Sequence, residues 1–326
     1  MNIRIFAVTF LVIFGVVFFL TQQNSINQFP TRKIGILQTA SHPALDACKN
    51  EFIQTLDATY NAHFEYIIKN GEGSLINLHT AAQELQLNAE IELFYVIATP
   101  ALQTFAPLEK ERPILFSAVT DPRHILDAEQ TNVTGISDAV DAEIISNNVL
   151  NLFPAIKTIG LIYNPSEINS TVLVKEFEQL FKKHNKAILH VSITSEAEVS
   201  QAILNALSRV DLLLAPTDNL VANTAPLIAQ LAQESKKPFV VSDLKLISTG
   251  PVLAVGISYD ICGQEAGRLA ADILQSKIPL QDLPYRKTAM QKGLINLPVF
   301  KDLEVNCDEY IKKTYNFFPT HDTLVI

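Results

Sequence analysis

Polar side chains in this sequence gather where short apolar runs end, and those ends supply hydroxyls, amides and a few carboxylates. The positions are Gln38, Thr39, Ser41, Thr99, Ser117, Thr120, Tyr163, Ser166, Thr217, Asp218 and Asp243. Such a set, with little positive charge, suits a small zwitterion. Amides and hydroxyls would take its carboxylate, and an aspartate would take its ammonium in a charge-assisted hydrogen bond. The aromatic side chains of Phe116, Tyr163 and Tyr259 are suited to face an apolar part of such a ligand.

Several of these residues also have a simpler interpretation. Thr99, Asn164 and Asp218 each precede a predicted helix, where such side chains commonly cap the first turn. Phe116 lies in an apolar run, and phenylalanine is usually buried in the core. Asp243 has no obvious helix to cap, so we expect a ligand role for it.

The sequence carries no motif for catalysis, metal binding or nucleic-acid binding. It contains no G-x-S-x-G, GxGxxG, P-loop or HExxH pattern, so an enzyme is not expected. Cys48, Cys262 and Cys307 are far apart and show no metal-ligand spacing, so no metal or other cofactor is predicted. A net charge of -9 without a basic patch argues against nucleic acid as a partner.

Two apolar runs predict the elements that position the polar residues. Leu93–Ala98 and Ile114–Val119 are short and continuously apolar, which is typical of strands buried on both faces of a parallel sheet. Thr99-Pro100 and Thr120-Asp121-Pro122 follow them, and proline favours the first turn of a helix. In open parallel sheets, ligands bind at the carboxyl ends of the strands.

The β/α pattern begins a second time near the middle of the chain. The predicted strand Thr158–Tyr163 repeats the Ile-Gly-apolar-apolar core of the first strand, Lys33–Gln38. After it, Asn164 as N-cap and Glu167 at the third helical position predict a capping box. Two successive β/α halves favour two similar lobes over one large sheet.

Residues 1–24 predict an export signal or a membrane anchor. A positively charged start precedes the apolar stretch Ile5–Leu20, and a polar segment follows it. Cleavage and retention of this segment both remain open. In either case we expect the residues after about Asn24 to lie outside the cytoplasm, in the periplasm or its equivalent.

Motifs at the strand ends resemble those of a known family. They are Lys33-Ile-Gly-Ile-Leu-Gln-Thr-Ala-Ser-His-Pro-Ala-Leu-Asp46, Ala98-Thr-Pro-Ala101, Phe116-Ser-Ala-Val-Thr-Asp-Pro122, Asn132-Val-Thr-Gly-Ile-Ser-Asp138, Gly160-Leu-Ile-Tyr-Asn-Pro-Ser166, Ala215-Pro-Thr-Asp-Asn219, Ser242-Asp243 and Gly256-Ile-Ser-Tyr-Asp260. Together they are similar to the TrpX-like group of substrate-binding proteins of ABC transporters, over roughly residues 33 to 297. Each motif is weak alone, but their number and order make the set specific.

The resemblance implies an α/β, type I periplasmic-binding-protein fold, in which two Rossmann-like doubly wound lobes are joined by three crossings. It implies that an amino acid, aromatic in character, binds in the cleft by hinge closure and passes to ABC permease subunits. It also implies that the positions of Thr99 and Thr120 hold the carboxylate. Asp218 or Asp243 would hold the ammonium, and the sequence does not decide between them.

The implied lobes are residues 33–137 with 257–283, and residues 138–256 with 284–304. The crossings are expected near Ser137, Ile257 and Leu283, and residues 305–326 form a C-terminal tail without an assigned role. An alternative function is a membrane-anchored ectodomain of the same fold that senses a ligand.

Overall fold

The computed structural model describes residues 31–127, 130–275, 280–288 and 292–303, together with a strand at Thr323–Val325. The apolar stretch Ile5–Leu20, Cys307 and most of the predicted tail therefore lie outside the described residues. Among the residues described, no helix is long and apolar enough to cross a membrane.

The first half of the chain alternates strands and helices. Its strands are β1 (Thr31–Gln38), β2 (His63–Asn70), β3 (Ile91–Ile97), β4 (Ile114–Val119) and β5 (Val133–Ser137). Its helices are α1 (Pro43–Thr59), α2 (Leu75–Leu87) and α3 (Thr99–Phe105). The continuously apolar runs that predicted β3 and β4 are buried along nearly their whole length, as strands covered on both faces must be.

The second half repeats this alternation. Its strands are β6 (Thr158–Tyr163), β7 (Ala187–Ser192), β8 (Leu212–Ala215), β9 (Phe239–Val241) and β10 (Leu253–Gly256). Its helices are α4 (Ala142–Leu152), α5 (Ile168–Lys183), α6 (Val199–Leu207) and α7 (Asn219–Glu234). The chain then adds α8 (Tyr259–Leu274), β11 (Arg286–Lys287), β12 (Lys292–Asn296), α9 (Leu297–Asp302) and β13 (Thr323–Val325).

The strands form two separate sheets. The first has the order β11-β5-β4-β3-β1-β2 and is parallel throughout. The second has the order β13-β12-β10-β9-β8-β6-β7, in which only β12 and β13 run antiparallel to their neighbours. Each half thus has the doubly wound order 2-1-3-4-5, which places its binding edge at the carboxyl ends of the strands.

The chain passes between the two sheets three times. It leaves the first sheet after Ser137 and returns after Gly256. Because β11 pairs with β5, Arg286 and Lys287 still belong to the first sheet, so the last passage lies between Lys287 and Lys292. The boundary expected at residues 283 and 284 therefore falls a few residues too early. We call the first sheet with α1–α3 and α8 the first lobe, and the second sheet with α4–α7 and α9 the second lobe.

Helix α8 follows the second lobe's last parallel strand but packs on helix α1 of the first lobe. The two helices approach so closely that a Cβ atom on Gly263 would lie 2.2 Å from the carbonyl oxygen of Cys48. Only glycine permits this contact of backbone with backbone. The close crossing fixes the start of α8, and with it Tyr259, against the first lobe.

The predicted capping box after β6 is wrong. Asn164 Oδ1 accepts a hydrogen bond from the Ser166 N–H at 3.0 Å, which closes a turn, and α5 begins only at Ile168. The Glu167 carboxylate therefore does not return to Asn164. It accepts hydrogen bonds from the backbone N–H groups of Asn219 and Leu220, at 3.1 and 3.3 Å. The side chain thus satisfies the first turn of α7 instead of its own helix.

Candidate functional site

The carboxyl ends of the two sheets face each other across a cleft, and its deepest part is a cavity lined by both lobes. We call this the inner cavity; it is narrow, with about 20 Å³ within reach of the centre of a water-sized molecule. Residues that bear its chemistry are His42, Thr99, Asp138, Asn169, Thr217, Asp218, Asn219, Asp243 and Tyr259. Its apolar lining is Leu45, Ala98, Ala118, Ala215, Pro216, Val221, Ala222 and Leu246, so a ligand here meets both polar and apolar surface.

Two alanines on the first-lobe side of the inner cavity have an unusual backbone. Ala98 has φ 81° and Ala118 has φ 58°, a region that residues with a Cβ atom seldom occupy. Ala98 directly follows β3, and Ala118 interrupts the pairing of β4 with β5, where the register shifts. Such conformations persist where the surrounding structure imposes them, and they concentrate at binding sites.

The inner cavity also gathers buried polar atoms that have no hydrogen-bond partner. Eight such side-chain atoms occur in the described part of the chain, and four of them belong to residues that line this cavity. These four are His42 Nδ1, Thr99 Oγ1, Asn169 Oδ1 and Thr217 Oγ1. Because buried polar groups are normally paired, these four atoms make the cavity a candidate site for a polar ligand.

Thr99 owes its free hydroxyl to its place in α3. The N-cap of this helix is Ala98, without a side-chain hydrogen bond, and Thr99 is the first helical residue. The alternative interpretation of Thr99 as a helix cap is therefore wrong. Its side chain is 2% exposed, so no bulk water replaces the missing partner.

Asp243 lies at the end of β9 and is 6% exposed. Its Oδ1 accepts a hydrogen bond from the Lys245 N–H at 2.8 Å and so caps a short 3₁₀ helix over Leu244–Thr249. The expectation that Asp243 has no helix to cap is wrong, because a 3₁₀ turn has no clear sequence signal. Burial raises the pKa of Asp243 to about 7, and the nearby Asp138 carboxylate adds to that increase.

Asp218 lies after β8, and both of its carboxylate oxygens accept hydrogen bonds. Its Oδ1 caps α7 through the Val221 N–H at 2.9 Å. Its Oδ2 accepts from the Asn164 N–H at 2.6 Å and from the Ser170 hydroxyl at 2.5 Å. Burial, followed by repulsion from Glu167, raises the pKa of Asp218 to about 7. Asp218 thus ties three segments of the second lobe together.

Asp138 lies in the first crossing between the lobes and is 1% exposed. Its carboxylate accepts hydrogen bonds from the Thr120 hydroxyl at 3.0 Å and from the Tyr259 hydroxyl at 2.8 Å. Burial raises its pKa despite these two bonds. The predicted site residues Thr120 and Tyr259 therefore meet at Asp138, which links the ends of β4 and β5 to the start of α8.

The remaining predicted site residues are not brought together at the inner cavity. Gln38 is buried and donates to the Ala40 carbonyl and to Asp46, and the Ser41 hydroxyl also donates to Asp46. Phe116 is fully buried in the core of the first lobe, with its ring 6.1 Å from that of Tyr285. Its position in a strand buried on both faces explains why it cannot face a ligand.

Two further predicted residues lie at the outer part of the cleft or beyond it. The ring of Tyr163 packs edge-on against His190, at 6.0 Å between centroids. Ser166 is exposed and lines a wider space between the lobes, which we call the outer chamber. This chamber has about 1130 Å³ of atom-free space, part of it open solvent, and Asn219 lines both it and the inner cavity.

Sequence reasoning missed four polar residues of the inner cavity: His42, Asp138, Asn169 and Asn219. His42 is the N-cap of α1, in the turn that follows β1. Asp138 directly follows β5, and Asn219 is the first residue of α7, after the turn that follows β8. Asn169 is the second residue of α5, where no strand-end rule points to it.

The geometry defines a class of protein: two doubly wound lobes, joined by three passages, that enclose a polar cavity between their strand ends. The chain belongs to the ABC transporter substrate binding protein family, whose model matches residues 33–316. This membership confirms the resemblance inferred from the motifs. It also confirms the expectation that the chain is a solute-binding protein and not an enzyme.

Among related sequences, a tyrosine-binding protein of Clostridioides difficile is 31% identical over 304 residues, which cover 87% of this chain and 86% of the relative. A solved ABC domain from Streptococcus pneumoniae in complex with L-Trp has a TM-score of 0.80 and 29% identity, and covers 86% of this chain and 98% of its own.

A ligand-free, open substrate-binding protein with adhesive properties from Clostridium difficile has a TM-score of 0.63 and 29% identity, with coverage of 85% and 96%. A leucine-binding protein from Thermotoga maritima shares the fold alone, with a TM-score of 0.60 and 13% identity over 83% of this chain and 87% of its own. These likenesses confirm the predicted type I periplasmic-binding-protein fold.

Proposed function

We propose that the protein is the extracytoplasmic binding component of an ABC importer, and that it holds one amino acid, aromatic in character, in the inner cavity. The observation that carries the proposal is the lining of this cavity. It combines partnerless polar atoms from both lobes with three buried carboxylates, those of Asp138, Asp218 and Asp243. No lysine or arginine is among its lining residues.

The ligand's ammonium supplies the missing positive charge. Buried carboxylates without a cation are costly, and the raised pKa values of Asp243 and Asp218 express that cost. Asp243 is the better partner, because its only hydrogen bond within the described chain is to the Lys245 N–H. Asp218 already accepts three hydrogen bonds. This assignment favours Asp243 where the sequence left both residues open.

The ligand's carboxylate lies at the first lobe. The Thr99 hydroxyl is buried and has no acceptor, so a carboxylate oxygen would complete it. The Thr120 hydroxyl already donates to Asp138. We therefore assign Thr120 to positioning the Asp138 carboxylate and not to direct contact with the ligand. A ligand held in this way connects the two lobes, which is what hinge closure requires.

The preference for an aromatic side chain rests on the apolar lining and on the relatives. Leu45, Val221, Ala222 and Leu246 offer apolar surface from both lobes. The relatives named above include a tyrosine-binding protein and a domain in complex with L-Trp.

The arrangement of the lobes supports a closed, ligand-accepting form. At equal identity of 29%, the chain matches the L-Trp complex with a TM-score of 0.80 and the ligand-free, open protein with 0.63. Sequence distance does not account for that difference, which favours a lobe arrangement nearer to that of the L-Trp complex.

A thermal-shift screen of the purified protein against the twenty amino acids tests the proposal. A ligand that binds only the folded state raises the melting temperature, and at 100 times its Kd it adds about 2.7 kcal/mol of stability. We expect a shift with L-tyrosine, L-tryptophan or both, followed by a 1:1 calorimetric titration. No shift with any amino acid would contradict the proposal.

The proposed location and partners follow from the family. We propose that the domain works outside the cytoplasm, delivers its ligand to permease subunits, and reaches the membrane through residues 5–20 if that segment is retained. The mass of the mature protein distinguishes a cleaved signal from an anchor.

A further inference from the structure

One side-chain hydrogen bond joins the lobes across the cleft. His42 Nε2 of the first lobe lies 3.3 Å from Asn219 Oδ1 of the second. His42 is 7% exposed, so the contact is shielded from water. A second polar contact between the lobes, Lys245 to Asp260 at 2.7 Å, lies beside the second crossing and is partly exposed. His42 and Asn219 both line the inner cavity, so their contact spans it.

Glu167 fixes the orientation of the Asn219 amide. Asn219 Nδ2 donates to Glu167 Oε2 at 2.6 Å, and the backbone N–H of Asn219 donates to the same oxygen at 3.1 Å. Turning the amide over would place its oxygen against a carboxylate, which is repulsive. Asn219 Oδ1 must therefore face His42 as an acceptor.

An acceptor at that position determines the tautomer of His42. Nε2 must carry the hydrogen, so in the neutral imidazole Nδ1 carries a lone pair and only accepts. Burial lowers the pKa of His42, which keeps the ring neutral. Nδ1 is buried and has no partner within the described chain, and His42 lines the inner cavity. The contact with Asn219 of the second lobe thus leaves His42 Nδ1 as a hydrogen-bond acceptor in the inner cavity.

We propose that His42 joins ligand recognition to lobe closure: Nε2–H holds the second lobe through Asn219, while Nδ1 accepts a hydrogen bond from an N–H or O–H group of the ligand. The inference rests on the proposed function and adds a residue to it. A carboxylate cannot serve, because it offers no hydrogen. The donor is either the α-ammonium or a polar hydrogen of the side chain, as in a phenol or an indole.

The pair also separates the two parts of the cleft. Asn219 lines both the inner cavity and the outer chamber, while His42 lines the inner cavity. The His42–Asn219 pair therefore lies where the inner cavity and the outer chamber adjoin.

Two variants separate the two roles of His42. Asn219→Ala removes the contact between the lobes but leaves His42 Nδ1 in place and keeps the backbone N–H that Glu167 accepts. His42→Leu removes both functions. His63→Leu, at an exposed position on β2, is the matched control. Thermal melts of each ligand-free variant establish that it is folded.

Calorimetric titration of each variant with L-tyrosine, L-tryptophan and L-phenylalanine gives the result. We expect Asn219→Ala to weaken all three by about three- to tenfold, as the loss of one hydrogen bond does. His42→Leu should weaken binding by about a further tenfold. A further loss for all three ligands identifies the ammonium as donor. A loss confined to tyrosine and tryptophan identifies the side chain. If His42→Leu weakens binding no more than Asn219→Ala does, His42 Nδ1 does not bind the ligand and the proposal is overturned.

Nitrogen-15 NMR of histidine-labelled protein tests the tautomer without requiring a ligand, with the His42→Leu spectrum providing the assignment. We expect a neutral ring protonated at Nε2, and a shift of the Nδ1 resonance when L-tyrosine is added. A ring protonated at Nδ1 overturns the inference. If no amino acid binds, the proposed function fails, while the tautomer still decides the arrangement of His42 and Asn219.

Discussion

The two walls of the inner cavity are built from equivalent strand ends, yet they carry different chemistry. The first-lobe wall has the Thr99 hydroxyl, the His42 ring and two alanines with positive φ, and the carboxylate beside it, Asp138 of the first crossing, already accepts from Thr120 and Tyr259. The second-lobe wall has the carboxylates of Asp218 and Asp243. A zwitterion between them has one favoured direction, with its ammonium toward the second lobe. The asymmetry thus couples ligand orientation to closure.

Removing the negative charge from the second wall should have the largest effect on binding. In Asp243→Ala the ligand's ammonium loses its partner inside a closed cavity, which costs about 3–5 kcal/mol. We expect affinity to fall at least about 100-fold by calorimetry. The melting temperature of the ligand-free protein should change little, because losing the cap on the Lys245 N–H opposes the gain from removing a buried carboxylate. Asp282→Ala, at an exposed position, is the control, and unchanged affinity in Asp243→Ala would remove Asp243 from the site.

Substitution of Asp218 should lower stability more than affinity, because both carboxylate oxygens accept hydrogen bonds from the second lobe. Asp218→Ala leaves the Val221 and Asn164 N–H groups and the Ser170 hydroxyl without their acceptor. We expect the protein to lose about 1–3 kcal/mol of unfolding free energy in urea melts. Binding that is abolished with stability unchanged would reverse the assignment of the two aspartates.

On the first wall, the predicted effect is smaller. Thr99→Val keeps the shape of the side chain and removes only the hydroxyl, which has no partner in the ligand-free protein. Affinity for the amino acid should fall about tenfold, as for one hydrogen bond to a charged group. Ligand-free stability should stay constant or increase. A decrease in stability with no change in affinity would mean that the hydroxyl has a partner within the protein.

The smallest predicted effect is on how folding stability depends on pH, and it differs in direction between the two walls. The folded-state pKa of Asp243, about 7, lies above its unfolded value, so protonation stabilises the folded protein. Its stabilising contribution is complete below the unfolded pKa of about 3.9 and is lost as the pH rises through 7. His42, whose pKa is lowered, acts in the opposite direction below its ordinary value.

The difference between variant and wild type isolates Asp243 from these other groups. The ligand-free Asp243→Asn protein should gain melting temperature relative to wild type at pH 8, where Asp243 is ionised, and gain less at pH 5.5. An equal difference at both pH values would mean that Asp243 titrates normally.

The sequence predicted the strands that position this site better than it predicted which side chains are free to bind a ligand. Continuous apolar runs identified β3, β4 and β6, and the carboxyl ends of such strands located Thr99, Asp218 and Asp243. The pattern could not tell which side chains are already satisfied. Asp218 Oδ2 accepts from Asn164 and Ser170, which are about 50 residues away in the chain, and such pairings exist only after folding.

The incorrect assignments have the same origin. Glu167 has the spacing of a capping box, but its carboxylate serves α7 of the same lobe. Phe116 belongs to a strand that is covered on both faces, so its proximity to a strand end brings it no ligand contact. The role proposed for His42 has no signal near it in the sequence, because it depends on Asn219, which lies 177 residues further along the chain.

A crystal structure of the protein with L-tyrosine or L-tryptophan shows directly which residues hold the ligand. We expect the ammonium within about 2.7–3.2 Å of Asp243 and a carboxylate oxygen within the same range of Thr99 Oγ1. A ligand bound in the reversed direction, or outside the inner cavity, would contradict this expectation.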